Sequence, residues 1–327
     1  MGAGATSLSK EQAMKFKEFD AAKWEGLGKD AAGLVAVEAL LPLAPKVTCY
    51  TADVSICSII CRLAAEEHGV PCLEHRNVDI ECEMENYEAW FVKIQPKMTV
   101  PCMQYGDDVI GDSKDIMYYL AEKHPGAGLY PEDRKADIDA FVELFYSKFG
   151  SIARFTFGHW IHSSDAIRNF IDRGKVEKSI EKLRKLIADY PELRDVGEAK
   201  LATKQKFNFV EFMSKVDLGE MDRSMGEVLA AVEAKLEKTA FVCGDTYTLA
   251  DVTATAFLAR VHVVKAETMF GPATAKYWNE AIKTRPSFQK AYVTWKWELT
   301  LMHKQVEALA RGEEPETVTW AGPPAVL

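Results

Sequence analysis

Between Lys46 and His124, apolar runs of strand length alternate with helical runs in the order strand, helix, strand, helix, strand, strand, helix. The first strand, Lys46–Tyr50, passes through a turn of small and polar residues into a helical run, Ser58–Glu67, that stops at Gly69. Val70–Ile80 supplies a second strand. Asn86–Ile94 supplies a second helix, with Tyr87, Trp90, Phe91 and Ile94 at helical spacing. Cys102–Tyr105, the turn Gly106-Asp107-Asp108 and Val109-Ile110 form a strand pair. Gly111-Asp112-Ser113 then opens a helix that reaches about His124. The order reads as an α/β unit.

The chemistry gathers where the first strand hands over to the first helix, in Asp53-Val54-Ser55-Ile56-Cys57-Ser58. The first turn of a helix offers unpaired N–H groups and the positive end of the dipole. That setting lowers a thiol's pKa, so Cys57 is expected to be a reactive thiolate; its other reading is a small buried residue. Asp112 and Ser113 either cap the third helix or present its N-terminus to an anion, and both are compatible. Val100-Pro101 is either an edge-strand proline or a sharp bend facing a ligand.

Pro125 and Pro131 bracket a linker, and the pattern is helical from Pro131 nearly to the end. Ile138, Phe141, Val142, Phe145, Phe149 and Ile152 recur at helical spacing and predict a core face. Asp165–Tyr190 reads as a charged amphipathic helix, Met221–Lys238 as another, and Pro286–Leu309 as the closing one. Thr248 with Asp251 three residues on has the form of a capping box, which makes Asp251 structural rather than catalytic. The expected division is an extension over 1–45, an α/β domain over 46–126, an all-helical domain over 127–310 and a tail over 311–327.

The 327 residues suffice for two domains and a large core. A net charge of −9 argues against nucleic acid as the main partner. Seven cysteines, odd in number and without a CxxC pair, suit free thiols in a reducing compartment, the cytoplasm. No apolar run approaches the length of a membrane span. No P-loop, dinucleotide glycine signature or zinc spacing stands out, and His159 with His162 lacks acidic or thiol company, so no metal is expected. The start, Met1-Gly2-Ala3-Gly4-Ala5-Thr6, fits either a flexible small-residue terminus or N-myristoylation of Gly2, which by itself binds membrane weakly. Glu11–Trp24 reads as helical and too acidic for a transit peptide. Ala31–Leu43 is apolar and is expected to pack on the body.

Several stretches together resemble the glutathione transferase superfamily, over roughly Lys46 to Lys296. They are Tyr50-Thr51 with Ser55-Ile56-Cys57-Ser58, Glu66-Glu67 with Gly69-Val70, Val78-Asp79-Ile80, Glu85-Asn86-Tyr87, Val100-Pro101 and Asp112-Ser113. In the second half they are Tyr190-Pro191-Glu192-Leu193-Arg194 and Gly244-Asp245 with Thr248-Leu249-Ala250-Asp251-Val252. The resemblance is to the tetrachlorohydroquinone reductive dehalogenase type, a neighbour of the maleylacetoacetate isomerase (zeta) class.

That resemblance implies a thioredoxin-like N-terminal domain followed by an all-α domain, with glutathione as cosubstrate and a homodimer. It implies that Ser55 donates a hydrogen bond to the glutathione sulfur. Cys57 attacks a glutathionyl conjugate and leaves a mixed disulfide, which a second glutathione resolves. Ser58, Thr99, Val100, Pro101, Asp112 and Ser113 are the implied glutathione-binding residues, with Val100-Pro101 cis and its backbone turned to the ligand. Because one end of the helix after Pro131 should lie over the cleft, Tyr146, Arg154, Phe155, His159 and Trp160 are expected to form the electrophile pocket. Ile59 and Ile60 replace more polar residues common after this serine and make the entrance greasier. The expected activity is addition of glutathione to an electrophilic cyclic or unsaturated substrate. Glutathione-dependent cis–trans isomerisation and a non-catalytic binding or scaffold role are the alternatives.

Overall fold

The structure is a computed structural model. It describes residues 45–313 apart from positions 54, 82, 164, 167, 168, 170–174, 207, 208, 294 and 296, together with positions 7, 8, 29, 35 and 36. The expectations for Gly2, for Glu11–Trp24 and for the tail beyond 313 lie outside the described residues. Within the extension, Ser7–Leu8 pairs antiparallel with Val35–Ala36.

Strand β1 (Val47–Thr51) is buried along its whole length because it is the inner strand of a four-stranded sheet with both faces covered. Helix α1 (Ile56–Glu67) is the crossover that lets β2 (Leu73–Asn77) run parallel to β1, with Val47 opposite Leu73 and Thr51 opposite Asn77. After helix α2 (Ala89–Ile94), β3 (Cys102–Tyr105) pairs antiparallel with the other edge of β1, and β4 (Asp108–Gly111) pairs with β3. Gly106 makes the tight turn between them at φ +59°. The sheet order is β2-β1-β3-β4. Val47 and Cys49 point to the core shared with α1 and α3 (Ser113–Lys123), whereas Tyr50 packs with Phe91 of α2, Val78 and Cys102. The first domain is therefore thioredoxin-like, as the resemblance implies.

Three boundaries differ from the sequence expectation. Helix α1 begins at Ile56 because Ser55 caps it, its Oγ accepting from the Ser58 N–H at 3.2 Å. Strand β2 starts only at Leu73, after Gly69 and Cys72 have turned the chain at φ +59° and +53°. The segment 85–87 is a separate 3₁₀ turn, in which the Asn86 side-chain amide donates to the Met98 carbonyl at 3.1 Å.

The rest is helical: α4 (Lys135–Ser147), α5 (Phe149–Ser163), α6 (Lys175–Asp189), α7 (Arg194–Gln205), α8 (Phe209–Ser214), α9 (Leu218–Leu236) and α10 (Leu249–Val263), then short helical pieces over 272–293 and α11 (Trp297–Ala310). The expected closing helix is thus interrupted, with a π-helical stretch at Gln289–Val293 before α11. Every residue of α10 from Leu249 to Val261 is buried, as expected of a helix that is apolar on all sides. It packs against both α1 and α4 and so ties the two halves together. A clasp reinforces the tie: Glu67, at the end of α1, takes Arg285 in a two-pronged contact and also accepts from the Ser287 hydroxyl. Arg285 in turn lies 3.8 Å over the Tyr247 ring.

His68, just past α1, is buried with its Nδ1–H donating to the Ala64 carbonyl at 2.7 Å. Burial, with His124 nearby, pulls its pKa from the usual 6.5 to about 4. The unfolded chain takes up this proton below about pH 6.5 and the folded chain only near 4, so this group's share of stability is lost as pH falls through that window. Chemical denaturation from pH 7 to 4 should show His68→Gln losing about 3 kcal/mol less stability than the parent over that range.

Candidate active site

Register brings the expected glutathione-binding segments to one end of the sheet. Tyr50 pairs with Cys102, and Cys102 with Gly111. The turn after β1, the residues before β3 and the residues after β4 therefore share one edge. Ser55, Cys57, Thr99, Val100, Pro101, Asp112 and Ser113 all belong to those three segments. The Val100-Pro101 bond is cis, as expected. The N–H and C=O of Val100 make no hydrogen bond to other described residues, which leaves them available to an added strand. Thr99 beside it is exposed. Asp112 caps α3 by accepting from the Lys114 N–H at 3.0 Å, and it does so at φ +88°, a backbone conformation that a non-glycine residue holds only when its surroundings demand it.

Ser55 is partly exposed, and although its oxygen caps α1, its own proton has no acceptor among the described residues. It is placed to donate to a ligand at the helix N-terminus. Ser58 corrects the sequence reading. Its side chain is fully buried and its hydroxyl accepts from the Ala52 N–H at 3.0 Å, so it braces the turn and offers no side-chain surface to a ligand.

Cys57 also departs from expectation. Its position in the first helical turn is as foreseen, but burial pushes the thiol up to about 11 rather than down. The neighbouring Ser113 hydroxyl and the Arg260 guanidinium hold it back from rising further, while Asp112 works against the thiolate. Ser113, fully buried, meets the Tyr146 hydroxyl at 2.7 Å. Tyr146 therefore joins the α1–α3 site directly.

The other expected pocket residues do not join it. Arg154 lies 4.7 Å over the Phe212 ring. Phe155 and His159 line a cavity of about 520 Å³ together with Asp222, Val264, Lys265, Ala266, Thr268 and Met269. There His159 Nε2 meets Asp222 Oδ1 at 2.7 Å, and Phe155 touches the imidazole edge-on. The side chain of Trp160 lies outside the described residues. The split follows from a helix break: Tyr146 belongs to the last turn of α4, which ends at Ser147, whereas Arg154, Phe155 and His159 belong to α5.

The comparisons with known proteins bear on this geometry. Residues 54–123 match the family model of the glutathione S-transferase N-terminal domain, and residues 196–283 that of the glutathione S-transferase C-terminal domain. A tetrachloro-p-hydroquinone reductive dehalogenase of Sphingobium chlorophenolicum is 29% identical over 259 residues, 77% of this chain and 98% of that protein. The chain belongs to the glutathione transferase superfamily. A zeta-class glutathione S-transferase of Euphorbia esula is 36% identical over 93 residues, 28% of this chain and 40% of its own length. A delta-class glutathione transferase of Nilaparvata lugens shares the fold at a TM-score of 0.55 and 20% identity, over 80% of this chain and 99% of that one.

For a glutathione transferase, the sequence reading missed two cations. Arg62 of α1 and Arg260 of α10 are buried on the inner side of the β1–α1 turn, and the Asp53 carboxylate acts on both. Arg62 Nε donates to the Ala291 carbonyl at 2.6 Å, Nη1 donates to the Ala52 carbonyl at 3.3 Å, and the guanidinium lies 4.6 Å from the Trp295 ring. The available signal was an arginine inside an apolar helical run, as in Ile60-Cys61-Arg62-Leu63 and Leu258-Ala259-Arg260-Val261. Such a charge is seldom buried without a purpose.

Proposed function

We propose that this glutathione transferase adds glutathione thiolate to an electrophilic cyclic or unsaturated substrate, halogenated in the reading we favour, and that Cys57 resolves the conjugate reductively. The observation that carries the proposal is the meeting of Ser55, Cys57, the open Val100 backbone and Ser113 at one edge of the sheet. The reductive dehalogenase, matched over 98% of its length, supports the choice of substrate class.

In this reading Ser55 donates to the glutathione sulfur and stabilises its anion in the positive field of the α1 N-terminus. Val100 pairs with the tripeptide backbone. Asp112 meets the γ-glutamyl ammonium, and the positive N-terminal end of α3 attracts its carboxylate. The thiolate displaces halide, or adds across a double bond, to give a thioether. Cys57 thiolate then attacks the glutathione sulfur of that thioether. The carbon–sulfur bond breaks, its electron pair stays on the ring carbon and is protonated, and a Cys57–glutathione disulfide remains. A second glutathione thiolate frees Cys57 and leaves as glutathione disulfide, so two thiols supply the two electrons. The enzyme works as a cytoplasmic homodimer.

Cys57→Ser tests the reductive half. With halogenated hydroquinones and glutathione, the variant should accumulate the glutathionyl conjugate, whereas the parent releases reduced product and glutathione disulfide. Unchanged product from the variant would remove Cys57 from the mechanism. The raised Cys57 pKa favours one further reading, cis–trans isomerisation in which glutathione adds and leaves unconsumed and no second thiolate is needed. Turnover of a dienoic diketo acid that survives in Cys57→Ser would select it.

A further inference from the structure

The turn between β1 and α1 is closed on itself. The Ala52 N–H donates to the Ser58 hydroxyl at 3.0 Å, the Ser58 N–H to the Ser55 hydroxyl at 3.2 Å, and the Ser55 N–H to the Ala52 carbonyl at 3.3 Å. A carbonyl has two lone pairs, and the second one on Ala52 is taken from outside this ring. Arg62 Nη1 donates to it, also at 3.3 Å. The rest of that guanidinium belongs to the helical domain: Nε donates to the Ala291 carbonyl at 2.6 Å, and the Trp295 ring covers it at 4.6 Å. Arg62 exposes no surface, and its Nη2 meets no acceptor among the described residues. A guanidinium is a flat, rigid fork, so fixing it on Ala291 and Trp295 also fixes where its other prong holds Ala52.

We propose that Arg62 is a positioning residue for Ser55: it anchors the Ala52 carbonyl that receives the Ser55 N–H to the 289–295 segment of the helical domain, and so holds the Ser55 hydroxyl in line with the bound sulfur. The role rests on the reading above, in which Ser55 donates to the sulfur of glutathione. A donor turned or drawn away from the anion it serves stabilises it less. The seat of the thiolate is thus set in part from Ala291, which lies 229 positions along the chain from Arg62.

Asp53, Cys49, Cys61 and Tyr292 also face the guanidinium. Arg62→Lys leaves them in place and keeps the positive charge, but loses the fork and its stacking on Trp295. Trp295→Leu keeps the fork and removes its cover, a ring that also meets His75 edge-on at 5.9 Å.

The experiment is the pH titration of the thiolate band of glutathione bound to full-length Cys57→Ser protein, with and without these changes. In Arg62→Lys the midpoint should rise by about half to one pH unit, so that below it the bound thiolate falls about three- to tenfold. Trp295→Leu should move it the same way by less. The affinity for S-methylglutathione, which has no sulfur proton to lose, should stay within about twofold, whereas general damage to the site would weaken it as well. Added to Ser55→Ala, Arg62→Lys should shift the midpoint no further, because it acts through that serine. An unmoved midpoint in Arg62→Lys overturns the proposal, as does a shift that persists in full without the Ser55 hydroxyl. If Arg62→Lys does not fold, a Trp295→Leu midpoint equal to the parent's does the same. A parent that binds glutathione without ionising it contradicts the reading of Ser55 instead, and hydrogen exchange in the ligand-free protein then decides. The peptide over 52–58 should exchange at least about threefold faster in Arg62→Lys, and equal exchange overturns the anchoring.

Discussion

Asp251→Ala should lower the unfolding midpoint by roughly 6 °C, through a loss of about 4 kcal/mol. The carboxylate is fully buried and takes four donors. Oδ1 accepts from the Val242 N–H at 2.9 Å and the Tyr277 hydroxyl at 2.8 Å, and Oδ2 accepts from the Thr248 N–H at 2.9 Å and its hydroxyl at 3.0 Å. Burial pushes the carboxyl up to about 6 and the four donors resist the rise, so the group is ionised at neutral pH. Alanine leaves all four donors in a dry interior, and each orphaned group costs on the order of 1–3 kcal/mol before relaxation. The damage reaches beyond one cap, because α10 packs against both α1 and α4. Thermal unfolding followed by circular dichroism measures the loss. Because Asp251 is structural here, glutathione affinity at low temperature should match the parent's. A midpoint within 2–3 °C of the parent's would mean that the cap is not what holds α10.

Ser55→Ala should lower kcat/KM for conjugation by about 10²–10³ while costing only about 1 kcal/mol of stability. The two figures belong to different atoms of one hydroxyl. The oxygen caps α1 through the Ser58 N–H at 3.2 Å, and an N-cap is worth that modest amount. The hydrogen is the donor assigned to the glutathione sulfur, and a donor aimed at an anion contributes far more to rate than a cap does to folding. Steady-state kinetics beside a denaturation curve separates them. Equal loss of rate in Ser58→Ala would assign the effect to the turn's shape, since Ser58 is closed against the Ala52 N–H.

The parts of this molecule that depend on local pattern were legible in the sequence. The strand and helix order, the Ser55–Cys57 handover and the Thr248–Asp251 box all rest on residues within a few positions of one another, whereas the cis Val100-Pro101 bond was implied by the family resemblance. What the sequence hid depends on distant residues. The pKa of Cys57 is set by burial and by Asp112, Ser113 and Arg260, up to 203 positions away (260 minus 57), so a rule about helix N-termini pointed the wrong way. Ser58 looked like a ligand residue because its type and spacing fit, and only the fold shows its hydroxyl turned onto Ala52. The aromatic and basic residues of 146–160 looked like one pocket in a linear reading, yet Tyr146 ends α4 while the others lie on α5, in separate surroundings.

The central claim is that the sulfur of glutathione docks at the N-terminus of α1 and is kept ionised there by Ser55. The most direct measurement is the ultraviolet difference spectrum of the thiolate as glutathione is titrated into Cys57→Ser protein at slightly acid pH, where the free tripeptide is a thiol. Using that background leaves the bound tripeptide as the source of the signal at this site. A saturable thiolate band that disappears when Ser55→Ala is added is the predicted result. Glutathione that binds without ionising, or a band that persists without the Ser55 hydroxyl, would contradict it.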